Sequence, residues 1–229
     1  MLLISGAVFA RGQGLLPEIP LEGKTVKAFI PKEWKEILRT TGDLNGDGIE
    51  DVALAIEEND PEKIIRTPRD FGPETLNIND RCIIILIKKD KKYILADHSY
   101  CFLPWVNDVH SPCLPDPFLS KGKMLIDNGE LCVQFHYWPD CEFFDLNLQT
   151  FKFAYTSKGM RLIELDNYYL DRSNGDESVE NYNLITGKKS VTNGGNKFYK
   201  DQDNPVISLE DLNVEPIYLE SAGTNLVIR

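Results

Sequence analysis

Short apolar segments separated by turn sequences recur along the chain, and they restrict the folds that it can adopt. The first pair, CIIILI (82–87) and YILADH (93–98), flanks the polar turn KKDKK. Three further pairs follow, which are KMLID with ELCVQFHYW, LQTFKFAY with MRLIELDNYYL, and NYNLI with KKSVT. Their turns contain Asn128-Gly129, Ser157-Lys158-Gly159 and Thr186-Gly187. Asn-Gly supplies the positive φ angles of a tight hairpin turn. The pattern therefore predicts a mainly β fold of antiparallel sheets built from successive hairpins.

One helix is expected near the N-terminus, at PKEWKEIL (31–38), where Pro31 suits the first helical turn. A chain of 229 residues can bury one sizeable core. We therefore expect a single β-rich domain over residues 11–229.

The charge of the chain narrows the choice of partners. Asp and Glu number 36 against 25 Lys and Arg, which gives a net charge of -11. Such a surface repels phosphate backbones and anionic lipid heads. We therefore expect no nucleic acid partner and, because no later segment reaches the ~20 apolar residues of a membrane span, no such span. The partner is expected to be a small molecule, a glycan or a protein, and the oligomeric state stays open.

The first ten residues, MLLISGAVFA, combine a short apolar stretch with small residues before a cleavage point after Ala10. This arrangement resembles the end of a secretory signal peptide, although no basic region precedes it. We expect a secreted or periplasmic protein, and a frayed or strand-forming N-terminus remains the alternative.

The phrase GDLNGDGIEDVALAI (42–56) has the spacing of a calcium loop, with Gly48 at the sharp bend. Ca²⁺ takes six to eight oxygen ligands at about 2.3–2.6 Å. The expected ligands are side-chain oxygens of Asp43, Asn45, Asp47 and Asp51 and the carbonyl of Ile49, whose side chain would turn to the core. Leu54 stands where an EF-hand has a bidentate Glu, so affinity should be weak and the ion structural. The alternative is an empty turn, because Asp and Asn also bond their own backbone.

The same phrase resembles the loops of FG-GAP, VCBS and integrin-type blades, in which a calcium loop leads directly into a strand. The loop occurs once here, so the repeat that a full propeller requires is missing. The order of this phrase, RCIIILI, FKFAYTSKGMRLIEL and SVENYNLITGKK also resembles a loose group of uncharacterised bacterial exported proteins, over roughly residues 40 to 190. That resemblance implies a secreted or periplasmic β protein and implies no activity.

Alternation in LCVQFHYW indicates which residues are buried. Leu131, Val133, Phe135 and Tyr137 share one face, which we expect to join Phe151, Phe153 and Tyr155 in the core. The opposite face carries Cys132, Gln134, His136 and Trp138. This mixed face is either covered by another segment or open to a ligand. In the second case Gln134, His136, Trp138 and Asp140 would form the ligand face.

Acidic and imidazole groups raise an enzymatic alternative. The segment YWPDCEFFD places acids beside aromatic rings, which would suit a sugar site. The candidate groups are Asp108, His110, His136, Asp140, Glu142 and Asp145. The sequence has no nucleophile elbow, phosphate loop or His-Glu-x-x-His motif. We therefore expect a non-catalytic binding module, with a small secreted hydrolase using the cluster at residues 136–145 as the alternative.

Five cysteines would favour disulfides in an exported protein. Proximity in sequence suggests the pairs Cys101–Cys113 and Cys132–Cys141, with Cys82 as a buried thiol. A zinc site is the less favoured alternative, since HSYC and HSPC repeat a two-residue gap. Its ligands would be His98, Cys101, His110 and Cys113.

Overall fold

The computed structural model describes residues 16–67, 72–138, 145–201 and 203–223. Fourteen strands lie within these ranges: β1 (Glu22–Gly23), β2 (Trp34–Gly42), β3 (Asp51–Glu58), β4 (Ile64–Arg66), β5 (Thr75–Asn77), β6 (Arg81–Lys89), β7 (Lys92–Ser99), β8 (Lys123–Asp127), β9 (Glu130–Tyr137), β10 (Asp145–Thr156), β11 (Gly159–Asp171), β12 (Asp176–Asn183), β13 (Lys188–Asn196) and β14 (Val206–Asp211). Two short 3-10 helices, Val26–Phe29 and Pro61–Lys63, complete the regular structure of these ranges. The predicted signal peptide, residues 1–10, lies outside them.

The strands form antiparallel sheets, as the hairpin pattern predicts. A five-stranded sheet has the order β1-β7-β6-β3-β2, and a seven-stranded sheet runs from β14 to β8 in reverse chain order. β4 and β5 form a separate pair. The four predicted hairpins are β6–β7, β8–β9, β10–β11 and β12–β13. The Asn128-Gly129 turn has φ angles of 51° and 79°, so this turn has the expected conformation.

One core lies between the two large sheets. Ile83 and Ile85 of the five-stranded sheet share it with Phe135, Phe151 and Phe153 of the seven-stranded sheet. Phe102, from the long connection 100–122, inserts its ring among these phenylalanines. Its centroid lies 5.2–5.3 Å from those of Phe135, Phe151 and Phe153. Such aromatic contacts add to the stabilisation that apolar burial provides.

The five-stranded sheet is covered on both faces. Its second face packs under residues 19–30, with Val26 and Phe29 buried against Leu54 and Ile84. This double cover explains the continuous apolar runs of β3 and β6, because each side chain of these strands meets a core regardless of its direction.

The seven-stranded sheet has one packed face and one outer face. In β9, Leu131, Val133 and Phe135 are fully buried, whereas Gln134 and His136 on the outer face are half-buried. The alternation of β9 is therefore confirmed. Two aromatic residues that we expected in the core are less buried than the others. Tyr137 is half-buried and Tyr155, at the end of β10, is 36 % exposed.

The prediction of a helix at residues 31–38 is wrong. Residues 34–42 form β2, which pairs with β3 and carries a bulge between Glu36 and Leu38. Helix propensity is a weak preference that strand pairing overrides, and here β3 supplies a long antiparallel partner. Among the described residues, the helices are too short to traverse a bilayer.

A buried ion cluster fixes the long connection 100–122 to β6. The Arg81 side chain has no exposed surface, and its Nη1 and Nη2 donate to the two Asp116 carboxylate oxygens at 2.9 and 2.5 Å. Its Nε donates to Glu57 at 2.9 Å, and Nη1 also reaches the Pro104 carbonyl at 3.1 Å. One guanidinium therefore joins two strands to the connection.

Candidate functional site

The acidic loop, residues 43–51, connects β2 to β3 through a set of side-chain to backbone hydrogen bonds. Asp43 accepts bonds from the N–H groups of Gly46 and Gly48, each at 2.8 Å. Asn45 accepts from the N–H of Asp47 at 2.9 Å, and Asp47 accepts from the N–H of Ile49 at 2.8 Å. These are Asx-type turns, in which a short polar side chain bonds the backbone two or more residues on.

Two glycines give the acidic loop its shape. Gly46 and Gly48 have φ angles of 77° and 80°, a region that favours glycine. A Cβ at either position would meet no atom within 4 Å, so backbone strain alone restricts substitution there. The expected need for a positive φ at Gly48 is confirmed.

Asp51 behaves differently from the other acids of the loop. It is fully buried and its carboxylate accepts from the N–H groups of Leu44 at 2.9 Å and Lys88 at 2.8 Å. Burial raises the pKa of Asp51, and the charges of Asp47 and Asp43 raise it further. In contrast, the N–H of Gly48 leads the contacts that lower the pKa of Asp43. Asp51 thus ties the loop to β6.

Ile49 does not anchor the loop in the core, contrary to expectation. Its side chain is 45 % exposed, whereas Leu44 is 5 % exposed and belongs to the core cluster. The loop therefore uses its second residue as the apolar anchor.

Within the described ranges, His, Cys, Asp and Glu side chains do not gather in threes close enough to hold a metal ion. In the acidic loop, Asp51 accepts from Leu44 and Lys88 while Asp43 accepts from the loop backbone. The four residues of the zinc alternative are likewise not gathered. His98 instead packs edge-on against Tyr100, with centroids 5.7 Å apart.

The mixed face of β9 becomes part of the outer face of the seven-stranded sheet. Gln134 donates to the Thr150 hydroxyl of β10 at 3.0 Å. The rings of His136 and Trp138 stack with centroids 5.5 Å apart and planes at 21°. The structure thus brings Gln134, His136 and Trp138 together, while Asp140 lies outside the described residues.

Cations also cover the Trp138 ring. Lys121 Nζ lies 4.6 Å from the ring centroid, and the Arg172 guanidinium carbon lies 4.7 Å from it. Burial, followed by the charge of Lys121, lowers the pKa of His136, which favours the neutral imidazole near pH 7. A ligand would therefore meet the edge of the indole and a neutral ring beside it.

A polar cluster on β10, β11 and β12 extends this face and was not expected from the sequence. Asn181 donates to Asp166 at 2.5 Å and to Glu164 at 3.3 Å, and Lys152 donates to Glu164 at 2.9 Å. Burial raises the pKa of Asp166, and the Glu164 charge adds to the rise. Alternation in LIELDN would have found both acids, since each flanks the buried Leu165.

A second unexpected group lies on the packed face of the same sheet. Asn167 is 8 % exposed, and it pairs across β10–β11 with Gln149, two residues from Asn147. The side-chain oxygens of these three residues are buried without a hydrogen-bond donor. Each buried acceptor left unpaired costs about 1–3 kcal/mol. Amides at these positions gave no recognisable signal in the sequence.

Both disulfide pairings suggested by proximity are wrong, because Cys101 and Cys132 carry thiols. The Cys101 carbonyl lies 3.9 Å from where a Cβ on Gly223 would be, whereas the Cys113 sulfur lies 3.6 Å from the corresponding position on Gly72. Cys101 and Cys113 thus lie near different parts of the chain. Cys82 is a buried thiol, as expected. Cys141 lies outside the described residues.

The expected catalytic groups are only partly described. Asp140 and Glu142 lie outside the described ranges, and His136 faces Trp138. Asp108 accepts from the backbone N–H of His110 at 2.8 Å, so that carboxylate closes a turn.

No family model, curated protein or solved structure matches the chain.

Proposed function

We propose that the chain is a non-catalytic binding module, exported from the cell, whose ligand lies on the outer face of the seven-stranded sheet. The observation that carries the proposal is a continuous row of polar side chains, Gln134, Thr150, Asp166 and Asn181, directly opposite one another on β9 to β12. All four are half-buried, as expected for a sheet face next to solvent.

The chemistry of this face favours a neutral or cationic ligand rich in hydroxyl groups, and a glycan is the class that fits best. Gln134, Thr150 and Asn181 can both donate and accept hydrogen bonds. Glu164 and Asp166 accept them when ionised, and the net charge of -11 disfavours an anion. His136 and the edge of Trp138 would border the ligand on one side.

A small secreted hydrolase is the second candidate, and one observation favours it. Glu164 and Asp166 share the donor Asn181, and the pKa of Asp166 is raised. A carboxyl group with a raised pKa beside a second carboxyl group can act as a general acid. Lys152 also bonds Glu164, and an ion pair of this kind is equally a structural feature of a sheet face. Glycoside hydrolysis that is lost in Asp166→Asn but kept in Asp176→Asn would select this candidate.

The acidic loop would hold Ca²⁺ through oxygens of Asp43, Asn45, Asp47 and Asp51 and the Ile49 carbonyl. Support comes from the charges, since Asp47 and Asp43 act on Asp51 across one short loop. A divalent cation would relieve this repulsion. Each carboxylate oxygen of Asp51 accepts one backbone hydrogen bond and keeps a second lone pair. That lone pair can coordinate Ca²⁺ while the hydrogen bond is kept. The ion's task would be to stabilise the start of β3.

One disulfide at Cys113 forms part of the proposal and fits export, because disulfides persist in oxidising compartments. Cys82, Cys101 and Cys132 carry thiols in the part of the chain that the structure describes. Mass spectrometry without reduction would detect a cross-linked peptide pair that contains Cys113. Alkylation of all five cysteines in protein from an oxidising compartment would show that Cys113 forms no disulfide.

A glycan array tests the binding proposal, followed by titration of each hit with the tryptophan emission as readout. Gln134→Ala should weaken binding about tenfold, because it removes a polar group at the centre of the face. Ser190→Ala, on β13 and outside the four-residue row, is the matched control and should bind normally. Equal affinity of the two variants, with unchanged melting temperatures, would place the ligand elsewhere.

A further inference from the structure

The last strand of the seven-stranded sheet, β14, has an unusually exposed apolar sequence. Every residue of VISLED (206–211) is exposed, and Val206, Ile207 and Leu209 are 63 %, 67 % and 75 % exposed. Within the described residues β14 pairs with β13 alone, in an unbroken register. Edge strands are commonly protected by lysine, proline or a bulge, because an open edge can pair with another chain. β14 contains neither lysine nor proline.

The hydrogen-bond pattern shows which groups of β14 face the open edge. Leu212 donates its N–H to the Gly187 carbonyl at 2.8 Å, in register with the Asp211–Lys188 pair. In an antiparallel ladder, hydrogen-bonded residues alternate along each strand. Even-numbered residues of β14 therefore bond β13. Ile207 and Leu209 direct their N–H and C=O groups to the open edge.

The side chains of the same two residues lie on one face. Ile207 is opposite Thr192, and Leu209 is opposite Ser190, two residues apart on β13. Because side chains alternate along a strand, Ile207 and Leu209 point to the same side of the sheet. Their unpaired backbone groups and their exposed side chains thus form one apolar edge.

We propose that this edge binds a second copy of the chain, strand to antiparallel strand, about a two-fold axis at Ser208. In this register Ile207 of each copy faces Leu209 of the other copy. The two residues whose N–H and C=O groups are directed to the open edge therefore pair with each other. Glu210 then faces Val206 of the second copy, which keeps the acids of the two strands apart. Like charges directly opposite one another would oppose pairing.

The expected association is weak and strengthens with salt. One strand from each copy covers less than the ~800 Å² per partner of a standard stable interface. Each copy carries a net charge of -11, so the two repel at long range, and salt screens that repulsion. The dimer should therefore depend on concentration and gain affinity from low to high ionic strength.

Sedimentation of the full chain from roughly 1 µM to roughly 1 mM, at low and high salt, measures this association. The mass should rise towards twice that of one chain, and more so at high salt. Ile207→Lys should weaken the dimer about tenfold or more. Ile185→Lys, at a turn residue that is 60 % exposed, is the matched control and should leave it unchanged.

A proline pair tests the backbone geometry. Leu209→Pro removes an N–H directed to the open edge, so it should abolish the dimer with little change in melting temperature. Ser208→Pro removes an N–H bonded to β13 and should lower the melting temperature instead. A chain that stays monomeric to about 1 mM would overturn the proposal. Association that survives both Ile207→Lys and Leu209→Pro would also overturn it.

Discussion

The two large sheets use similar apolar residues but differ in the number of faces that are covered. β3 and β6 of the five-stranded sheet each begin with seven consecutive buried residues. β9 of the seven-stranded sheet alternates between buried and half-buried residues. The first sheet is therefore a frame in which each side chain serves stability. The second stabilises the protein with one face and leaves its outer face half-buried and its edge strand β14 exposed.

The burial of charged residues also differs between the two sheets. Arg81 and Asp51 of the five-stranded sheet are fully buried and have paired partners on two sides. Lys152 and Glu164 on the outer face of the seven-stranded sheet are 33 % and 25 % exposed. Equivalent substitutions should therefore have very different effects in the two sheets, and this difference can be measured.

The largest effect is expected from Arg81→Met. The substitution leaves Asp116 without its cation and leaves the buried Glu57 with the exposed Lys35 as its ion-pair partner. This should lower the free energy of unfolding by about 3–5 kcal/mol. Lys152→Met breaks an ion pair of similar length on the outer face and should cost about 1 kcal/mol or less. Urea unfolding of both variants measures the two losses. Similar losses would show that the sheets do not differ as described.

The next largest effect is expected from calcium, which would bind the acidic loop before β3. At ~100 times its dissociation constant, a ligand of the folded state adds about 2.7 kcal/mol, which is a melting shift of several degrees. Magnesium should do much less, because it requires near-ideal octahedral geometry. Asp47→Ala should abolish the shift, and Asp43→Asn should reduce it. Equal melting temperatures in calcium and in chelator would identify the loop as an empty turn.

Asp51 should give a smaller effect that depends on pH. Because its folded-state pKa is raised, its contribution to stability is fully present below the ordinary value of 3.8 and declines as pH rises through the raised value. Relative to Asp51→Asn, the wild type should therefore lose free energy of unfolding as pH rises through the acid range. Calcium should oppose this loss. A difference that is constant with pH would show that Asp51 does not titrate differently in the folded state.

The smallest effect is expected from His136→Ala on the outer face. The half-buried imidazole should contribute within about 1 kcal/mol, as surface changes usually do. Phe135→Ala, its neighbour on the packed face, should cost about 3–5 kcal/mol and is the internal comparison. A loss of several kcal/mol in His136→Ala would mean that this face is structural and would weaken the binding proposal.

Local patterns predicted the hairpins well and the rest of the fold less well. Alternation and turn residues located β6 to β13, because each of those hairpins joins neighbouring segments. The helix expected at residues 31–38 failed because β2 depends on a partner across the acidic loop. A local propensity does not contain that information.

The candidate site shows the same limit. Alternation identified Gln134, His136 and Trp138 as one face, and the same reasoning extended to β11 would have added Glu164 and Asp166. The Arg81–Asp116 pair joins residues 35 positions apart, so no local pattern signals it. Closeness in sequence predicted the wrong disulfide pairs, since Cys101 and Cys113 lie near different segments.

The strand order of the two sheets has a consequence for the time course of folding. In the described part of the chain, each of the strands β8 to β14 pairs with the strand next to it in sequence, so most contacts of this meander have low sequence separation. The bridge from Arg161 of β11 to Tyr218 is an exception. The other sheet must bring Glu22 beside Ile94 and Val52 beside Leu86. Closing such long loops slows folding. The meander should therefore gain hydrogen-exchange protection first, which pulse labelling can follow. During synthesis the apolar strand β3 would emerge before its partner β6 and would need shielding until that partner arrives.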